Sequence, residues 1–77
     1  MDNKYSLEKL VNSPSIKNVT ERLVEKVKMR RKEQKLTQRA LSDKSGVAYA
    51  SVRRFESFGE ISLASLLKIA KALDCLE

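Results

Sequence analysis

Apolar residues recur at helical spacing in four stretches of the chain, and short polar breaks separate these stretches. In the first stretch Val19, Leu23 and Val27 fall on one stripe, which predicts a helix that continues to about Gln34. Asn18 precedes the stripe in an Asn-x-x-Glu pattern, so we expect a capping box to begin the helix there.

A short segment precedes this helix. Residues 6–11 have the spacing of one or two helical turns with their Leu and Val side chains on one side, and Pro14 then favours a break because it moves Ser13 out of the helical region. We therefore divide the chain into an N-terminal arm or short helix over residues 1–17 and a domain over residues 18–77. The segment could be an arm, a clip across the core or part of a dimer contact, and the sequence leaves these alternatives open.

Two short helices joined by one sharp turn follow. The first opens at Thr37, whose hydroxyl is suited to accept a free backbone N–H group, and it turns Leu41 inward. It stops at Gly46, because glycine adopts the left-handed conformation that ends a helix without steric cost. The second helix runs from about Ala48 to about Glu56. Two helices joined by a glycine-containing turn in a basic chain are typical of a helix-turn-helix.

The second of these helices has two distinct sides. Val52 and Phe55 lie three positions apart and are predicted to point into the core. The residues that point elsewhere, and are therefore free to contact a partner, are Tyr49, Ala50, Arg53 and Arg54.

The last helix follows a short loop over residues 57–61. Ser62 is a good N-cap, and the helix is predicted to reach about Leu73. Its apolar face is broader than a surface helix needs, so we expect it to form the floor of the core and to leave apolar surface for a partner chain. That face comprises Leu63, Leu66, Leu67, Ile69, Ala70 and Leu73.

Size, charge and composition limit the classes of function that the chain can have. The 77 residues suffice for one domain, and a net charge of +6 with a pI of about 9.7 favours a polyanionic partner. With one cysteine, Cys75, and no histidine, the chain lacks the residues for an internal disulfide, a Cys/His metal site or the usual nucleophile–base pairs. We therefore expect no enzyme activity, no catalytic, metal or cofactor site, no membrane span, and a cytoplasmic location.

Basic residues concentrate on the solvent face and at the far end of the first long helix. Cations at a helix C-terminus are favoured by the helix dipole, which is a purely structural explanation. The same charges would also suit a phosphate-facing edge beside the helix-turn-helix, and the two explanations are compatible. The residues are Arg22, Lys26, Lys28, Arg30, Arg31, Lys32 and Lys35.

Several motifs, taken in order, resemble one family. Leu-Thr-Gln at 36–38, Gly-Val at 46–47, Arg-Phe-Glu at 54–56 and Ile-Ala-Lys-Ala-Leu at 69–73 are similar to the lambda-repressor/Cro-like (XRE) helix-turn-helix proteins, and the resemblance covers roughly residues 19–75. It implies an all-α domain of four to five helices with the helix-turn-helix at its centre. It also implies a nucleoid-associated protein that binds double-stranded DNA, usually as a homodimer, and represses transcription.

The resemblance further implies roles for particular residues. Gln38 would bond a phosphate at the start of its helix, helped by the free backbone N–H groups there. Arg31 and Glu56 match a pair that forms a buried ion pair in the family. Arg53 and Arg54 point about 100° apart on a helix, so one would read a base and the other would hold a phosphate. The implied DNA-binding set is Thr37, Gln38, Ala48, Tyr49, Ala50, Ser51, Arg53 and Arg54.

Some positions depart from the family pattern. Ala48 stands where Ser or Thr usually caps the recognition helix, so one cap should be missing. The hydroxyl of Ser42 is expected to bond back to its own helix. Lys35 stands where glycine often ends the first helix, which implies a left-handed lysine or a different helix end. Tyr49 either touches a thymine methyl group or a phosphate, or packs on a neighbouring helix. The loop with Glu60 is not basic, so its contacts to the DNA backbone should be weaker than in many members of the family.

Three functions remain in competition. The leading hypothesis is a sequence-specific repressor. The second rests on Phe-Glu-x-x-Gly-Glu-Ile-Ser-Leu at 55–63, which is similar to a subset with HipB-type antitoxins that bind both operator DNA and a toxin kinase. The third is a helix-turn-helix used only for protein contacts, which the two arginines and the tyrosine of the second helix disfavour.

Overall fold

Four helices make up the part of the chain that the computed structural model describes, residues 14–75. They are α1 (Pro14–Glu33), α2 (Gln38–Ser45), α3 (Tyr49–Phe58) and α4 (Leu63–Ala72). No strand occurs among residues 14–75, which confirms the predicted all-α class. The turns predicted for residues 6–11 lie outside the described residues, and the division of the chain at residue 17 stays a prediction. Among residues 14–75 no helix combines the length and the apolar composition that crossing a membrane requires.

Helix α1 begins earlier than its sequence pattern indicates. Its first residue is Pro14, which fits the first helical position because the N–H group that proline lacks has no partner there. Asn18 therefore lies inside the helix, and the predicted capping box at Asn18 is wrong. The hydroxyl of Thr20, which the box would have included, instead donates to the Ile16 carbonyl oxygen at 3.0 Å within the helix.

Helix α3 continues two residues beyond Glu56, so the assignment of Ser57 and Phe58 to a loop is also wrong. Gly59 ends the helix in the left-handed conformation at φ 72°, and its N–H group donates to the Phe55 carbonyl oxygen at 2.8 Å. This glycine is the real stop signal of α3.

The predicted start of α4 is confirmed. The hydroxyl of Ser62 accepts the N–H group of Ser65 at 3.1 Å, so Ser62 is the N-cap. Leu73 closes the helix as its C-cap.

The core lies where α2, α3 and α4 meet beneath α1. Five of its side chains are almost completely buried, namely Leu41, Val52, Phe55, Ile69 and Leu73, and Val24, Val27 and Val47 complete it. The inward direction predicted for Val52 and Phe55 is therefore confirmed.

The predicted apolar faces are wider than the buried ones. Val27 of the α1 stripe is buried, but Val19 is 61 % exposed and Leu23 is 38 % exposed. On α4, Leu63 and Leu67 are 71 % and 44 % exposed. Periodicity alone does not distinguish a core position from an apolar position at the edge of the domain.

The far end of α1 is tied to the far end of α4. The carbonyl oxygen of Leu73 accepts hydrogen bonds from Arg30 Nε at 3.1 Å and from Gln34 Nε2 at 2.8 Å. Lys35 then takes a left-handed conformation with φ 58°, which is the first of the two alternatives that the sequence left open at this helix end. At least one residue of the basic run of α1, Arg30, thus helps to hold the helices together.

Candidate nucleic-acid interface

The turn between α2 and α3 is fixed by backbone and hydroxyl hydrogen bonds. Gly46 is left-handed at φ 76°, and its N–H group donates to the Ser42 carbonyl oxygen at 2.9 Å. The Ser42 hydroxyl donates across the turn to the Val47 carbonyl oxygen at 2.6 Å, so the expectation that it bonds back to its own helix is wrong. The Val47 N–H group donates to the Ser45 hydroxyl at 3.1 Å, and the buried Val47 side chain anchors the turn in the core.

The two helices of the motif start differently. At α2 the Thr37 hydroxyl accepts the Ala40 N–H group at 3.0 Å, as a capping residue should. At α3 the corresponding residue is Ala48, which is exposed and has no side-chain cap. The predicted missing cap is confirmed, and the first N–H groups of α3 are left available to solvent or to an anion.

A buried ion pair holds the last turns of α3 against the end of α1. Arg31 Nε donates to Glu56 Oε2 at 2.8 Å and Arg31 Nη2 donates to Glu56 Oε1 at 2.9 Å, with side-chain exposures of 10 % and 3 %. Arg31 Nη1 also donates to the Leu36 carbonyl oxygen at 2.8 Å, next to the start of α2. A two-point arginine–carboxylate contact of this kind fixes orientation as well as distance.

Gln38 is the third member of this network. Its side-chain amide donates from Nε2 to Glu56 Oε1 at 2.9 Å, a contact that joins the start of α2 to α3. The phosphate contact expected of Gln38 stays a prediction, and its bond to Glu56 was not predicted from the sequence. One N–H bond and the carbonyl oxygen of the amide remain for other partners. Among residues 14–75 no buried side-chain nitrogen or oxygen atom lacks a hydrogen-bond partner.

A cationic cluster surrounds Tyr49 at the start of α3. The guanidinium of Arg39 lies 4.1 Å from the centre of the Tyr49 ring, and that of Arg53 lies 5.7 Å from it. Both distances are within the range of cation–π attraction, so the half-buried ring holds two positive charges at one edge of the motif. Arg39 was absent from the predicted set, although a basic residue next to Gln38 in the first turn of α2 is a usable sequence signal.

Arg54 points away from this cluster, towards the loop between α3 and α4. Its Nε and Nη2 atoms each lie 2.9 Å from Glu60 Oε1. The divergence of Arg53 and Arg54 is what their separation of about 100° on a helix requires. Ala50, Arg53 and Arg54 are exposed and Ser51 is half-buried, so the structure brings the predicted residues of α3 to one accessible side.

The sequence comparison assigns the family. The model of a helix-turn-helix family, that of the XRE proteins, matches residues 27–76. The chain belongs to the lambda-repressor-like (XRE) helix-turn-helix family. No curated protein and no solved structure matches the chain. As a member of this family, the protein is a DNA-binding transcriptional regulator, and its partner is DNA.

The match places the described geometry within the XRE domain. It includes α2, the turn, α3, α4 and the Arg31–Glu56 pair, and it begins inside α1. Arg39 and Glu60 are residues in contact with side chains of α3 that the motif alone did not indicate. Among residues 14–75 there is no group of three or more Cys, His, Asp or Glu side chains that could hold a metal ion.

Proposed function

We propose that this XRE protein is a sequence-specific repressor that reads double-stranded DNA in the major groove with α3. The observation that carries the proposal is the two-sided character of that helix. Val52, Phe55 and Glu56 are buried on one side, while Arg53 and Arg54 are exposed on the other. A rigid helix with exposed arginines is suited to reading base edges, because guanidinium groups bond guanine O6 and N7 together.

The two arginines have different roles in this proposal. Arg54 reads a guanine, since its side chain extends from α3 without contact to the Tyr49 cluster. Arg53 and Arg39 hold phosphates on either side of Tyr49, whose ring keeps both cations in place and whose edge lies near the bases. Ala50 leaves room for close approach of the helix.

Phosphate contacts at the ends of the motif set the register. Gln38 contributes its remaining amide N–H bond, and the free backbone N–H groups at the starts of α2 and α3 contribute the rest. Thr37, Ala48 and Ser51 lie at these two starts and complete the set. Such contacts strengthen binding to all sequences, because phosphates carry no sequence information.

We further propose that a homodimer binds the operator and that the protein represses by occupying a promoter, as a cytoplasmic, nucleoid-associated regulator. Leu63 and Leu67 lie one helical turn apart on α4, and both are exposed. Apolar surface of this kind on a small domain favours association. Two symmetric half-sites would then lie about 34 Å apart, which is one turn of DNA.

A HipB-like antitoxin that binds a toxin protein and autoregulates its operon is the second candidate. Phe58, at the end of the recognition helix, is 74 % exposed, and Met29 on the outer side of α1 is 61 % exposed. Exposed large apolar side chains away from the base-reading side favour a protein partner. A kinase-toxin gene beside this one, and a stable complex of the two purified products, would support this candidate.

Selection of bound duplexes from a random pool tests the proposal. The expected result is one enriched motif with two symmetric halves about 34 Å apart. Arg54→Ala should lose the preference at one position in each half, by about 1–3 kcal/mol, whereas Gln38→Ala should weaken all sequences alike.

Lys71→Ala is the control for these variants, because it removes one positive charge from the exposed end of α4, outside the helix-turn-helix and outside the basic run of α1, and should leave the motif unchanged. A wild-type protein that enriches no sequence would refute sequence-specific binding. Equal losses at every position for Arg54→Ala would refute base reading by that residue.

A further inference from the structure

The loop between α3 and α4 places an acidic residue directly against the recognition helix. Glu60 Oε1 accepts a hydrogen bond from Arg54 Nε at 2.9 Å, and Arg54 Nη2 lies 2.9 Å from the same oxygen in an ion pair. The two side chains are 61 % and 67 % exposed. An exposed ion pair of this kind contributes little to the free energy of folding. We therefore look for its effect in the proposed contact of Arg54 with DNA.

The geometry of the pair leaves the reading edge of Arg54 free. A guanidinium carries five N–H bonds in a plane, and Nε and Nη2 donate along one side of that plane. Glu60 occupies this side edge. Nη1 and the outer N–H bond of Nη2 form the terminal edge, which can still donate to guanine O6 and N7 together.

A carboxylate at this place has two opposite effects on DNA binding. It restrains a long, flexible side chain in one orientation, which reduces the conformational entropy lost when Arg54 contacts a base. It also adds a negative charge next to phosphates, which weakens binding to every sequence. Restraint combined with repulsion favours the correct site over the others, because specificity is a difference of affinities.

We infer that Glu60 is a positioning residue for base recognition, which fixes the guanidinium of Arg54 for guanine and lowers affinity for DNA in general. The inference rests on the proposed major-groove function of Arg54. It assigns the loop after α3 a part in selectivity, whereas the lack of basic residues there had indicated only weaker backbone contacts.

Glu60→Gln is the decisive variant, because glutamine keeps the size of the side chain and removes its charge. Preference for guanine at the position read by Arg54 is expected to fall about three- to tenfold, while affinity for a duplex of random sequence increases about two- to fivefold. Glu25→Gln is the matched control: Glu25 is also in an exposed ion pair, with Lys28 at 3.7 Å, but on α1. It should leave the guanine preference unchanged.

The same substitution in the Arg54→Ala background isolates the pair. There Glu60→Gln should have no further effect on base preference, because no guanidinium remains to be positioned. Thermal unfolding of both glutamine variants should match that of the wild type, since both ion pairs are exposed.

Three results would overturn the inference while leaving the proposed function intact. An unchanged guanine preference in Glu60→Gln would show that the pair is incidental, and an increased preference would show that Glu60 masks Arg54. A loss that persists in the Arg54→Ala background would show that Glu60 contacts a base itself. If the wild-type protein selects no sequence, the proposed function fails first, and the inference fails with it.

Discussion

At the scale of single residues, Glu56 is a buried carboxylate whose charge needs compensation from its neighbours. Its side chain is only 3 % exposed, and it lies near the C-terminal end of α3, where the helix dipole disfavours a negative charge. Two nitrogen atoms of Arg31 and the amide of Gln38 compensate by donating to its two oxygens. The carboxylate therefore connects the end of α1, the start of α2 and α3.

Glu56→Ala should lower the free energy of unfolding by about 3–5 kcal/mol, because it leaves the Arg31 guanidinium buried without its counter-charge. That is a large part of the 5–15 kcal/mol typical of a whole domain. The double variant Arg31→Met/Glu56→Leu should recover most of the loss, since no buried charge remains. Urea unfolding measures both. A loss below about 1 kcal/mol for Glu56→Ala would contradict the assigned burial of the pair.

The sequence predicted only part of this residue-scale network. The resemblance implied the Arg31–Glu56 pair, because both residues stand at motif positions. The bond from Gln38 to Glu56, the stacking of Arg39 on Tyr49 and the contact of Arg54 with Glu60 were not foreseen. Each joins residues from different elements or from a helix and a loop, and side-chain direction there depends on packing that no local pattern specifies.

At the scale of helices, an end marked by one suitable residue was predictable from the sequence, and an end with two candidate residues was not. Thr37, Gly46 and Ser62 each act as the pattern indicated. At the start of α1, Pro14 suits the first helical position and Asn18 suits an N-cap, and the helix begins at the earlier residue. At the end of α3 the choice was between stopping at Glu56 and continuing to a left-handed Gly59, and the glycine decides it.

The two left-handed glycines are predicted to differ in their tolerance of a side chain. A Cβ atom at Gly46 would meet no heavy atom within 4 Å, whereas one at Gly59 would lie 2.6 Å from Thr20 Cγ2. Thr20 cannot easily turn away, because its hydroxyl is bonded to the Ile16 carbonyl oxygen and β-branched side chains are stiff. Gly46→Ala should therefore cost about 1–2 kcal/mol of stability, and Gly59→Ala about 2–4 kcal/mol.

Thr20→Ser makes this comparison decisive. Serine removes the methyl group and keeps the hydroxyl, so Gly59→Ala/Thr20→Ser should cost about as much as Gly46→Ala. Chemical unfolding of the four variants tests the prediction. Equal costs for the two single glycine variants, or no recovery with serine, would rule out the contact between Gly59 and α1 as the reason for the glycine.

At the scale of the whole molecule, the charged surface and the exposed apolar surface lie in different places. The net charge is +6, and cations flank both the start of α2 and the exposed side of α3. The exposed apolar residues lie elsewhere, on α1, at the end of α3 and along α4. Composition predicted the polyanionic partner correctly. It did not reveal how much apolar surface stays outside the core, because that depends on how closely α1 and α4 approach each other.

The separation of charge from apolar surface predicts a specific response to salt. Phosphate contacts release counterions, so the logarithm of the binding constant should fall linearly with the logarithm of salt concentration between about 50 and 200 mM, with a slope of about −0.9 for each phosphate neutralised. Arg53→Ala should make the slope less steep by about 0.9 for each subunit bound, because it removes one of the two cations of the Tyr49 cluster that we propose to hold phosphates. Lys71→Ala removes one positive charge from the exposed end of α4 and should leave the slope unchanged. Fluorescence anisotropy with one labelled duplex measures all three proteins under identical conditions.

A slope near zero for the wild type would refute phosphate contact as the source of affinity, and equal changes for the two variants would show that net charge, rather than the position of Arg53, determines binding.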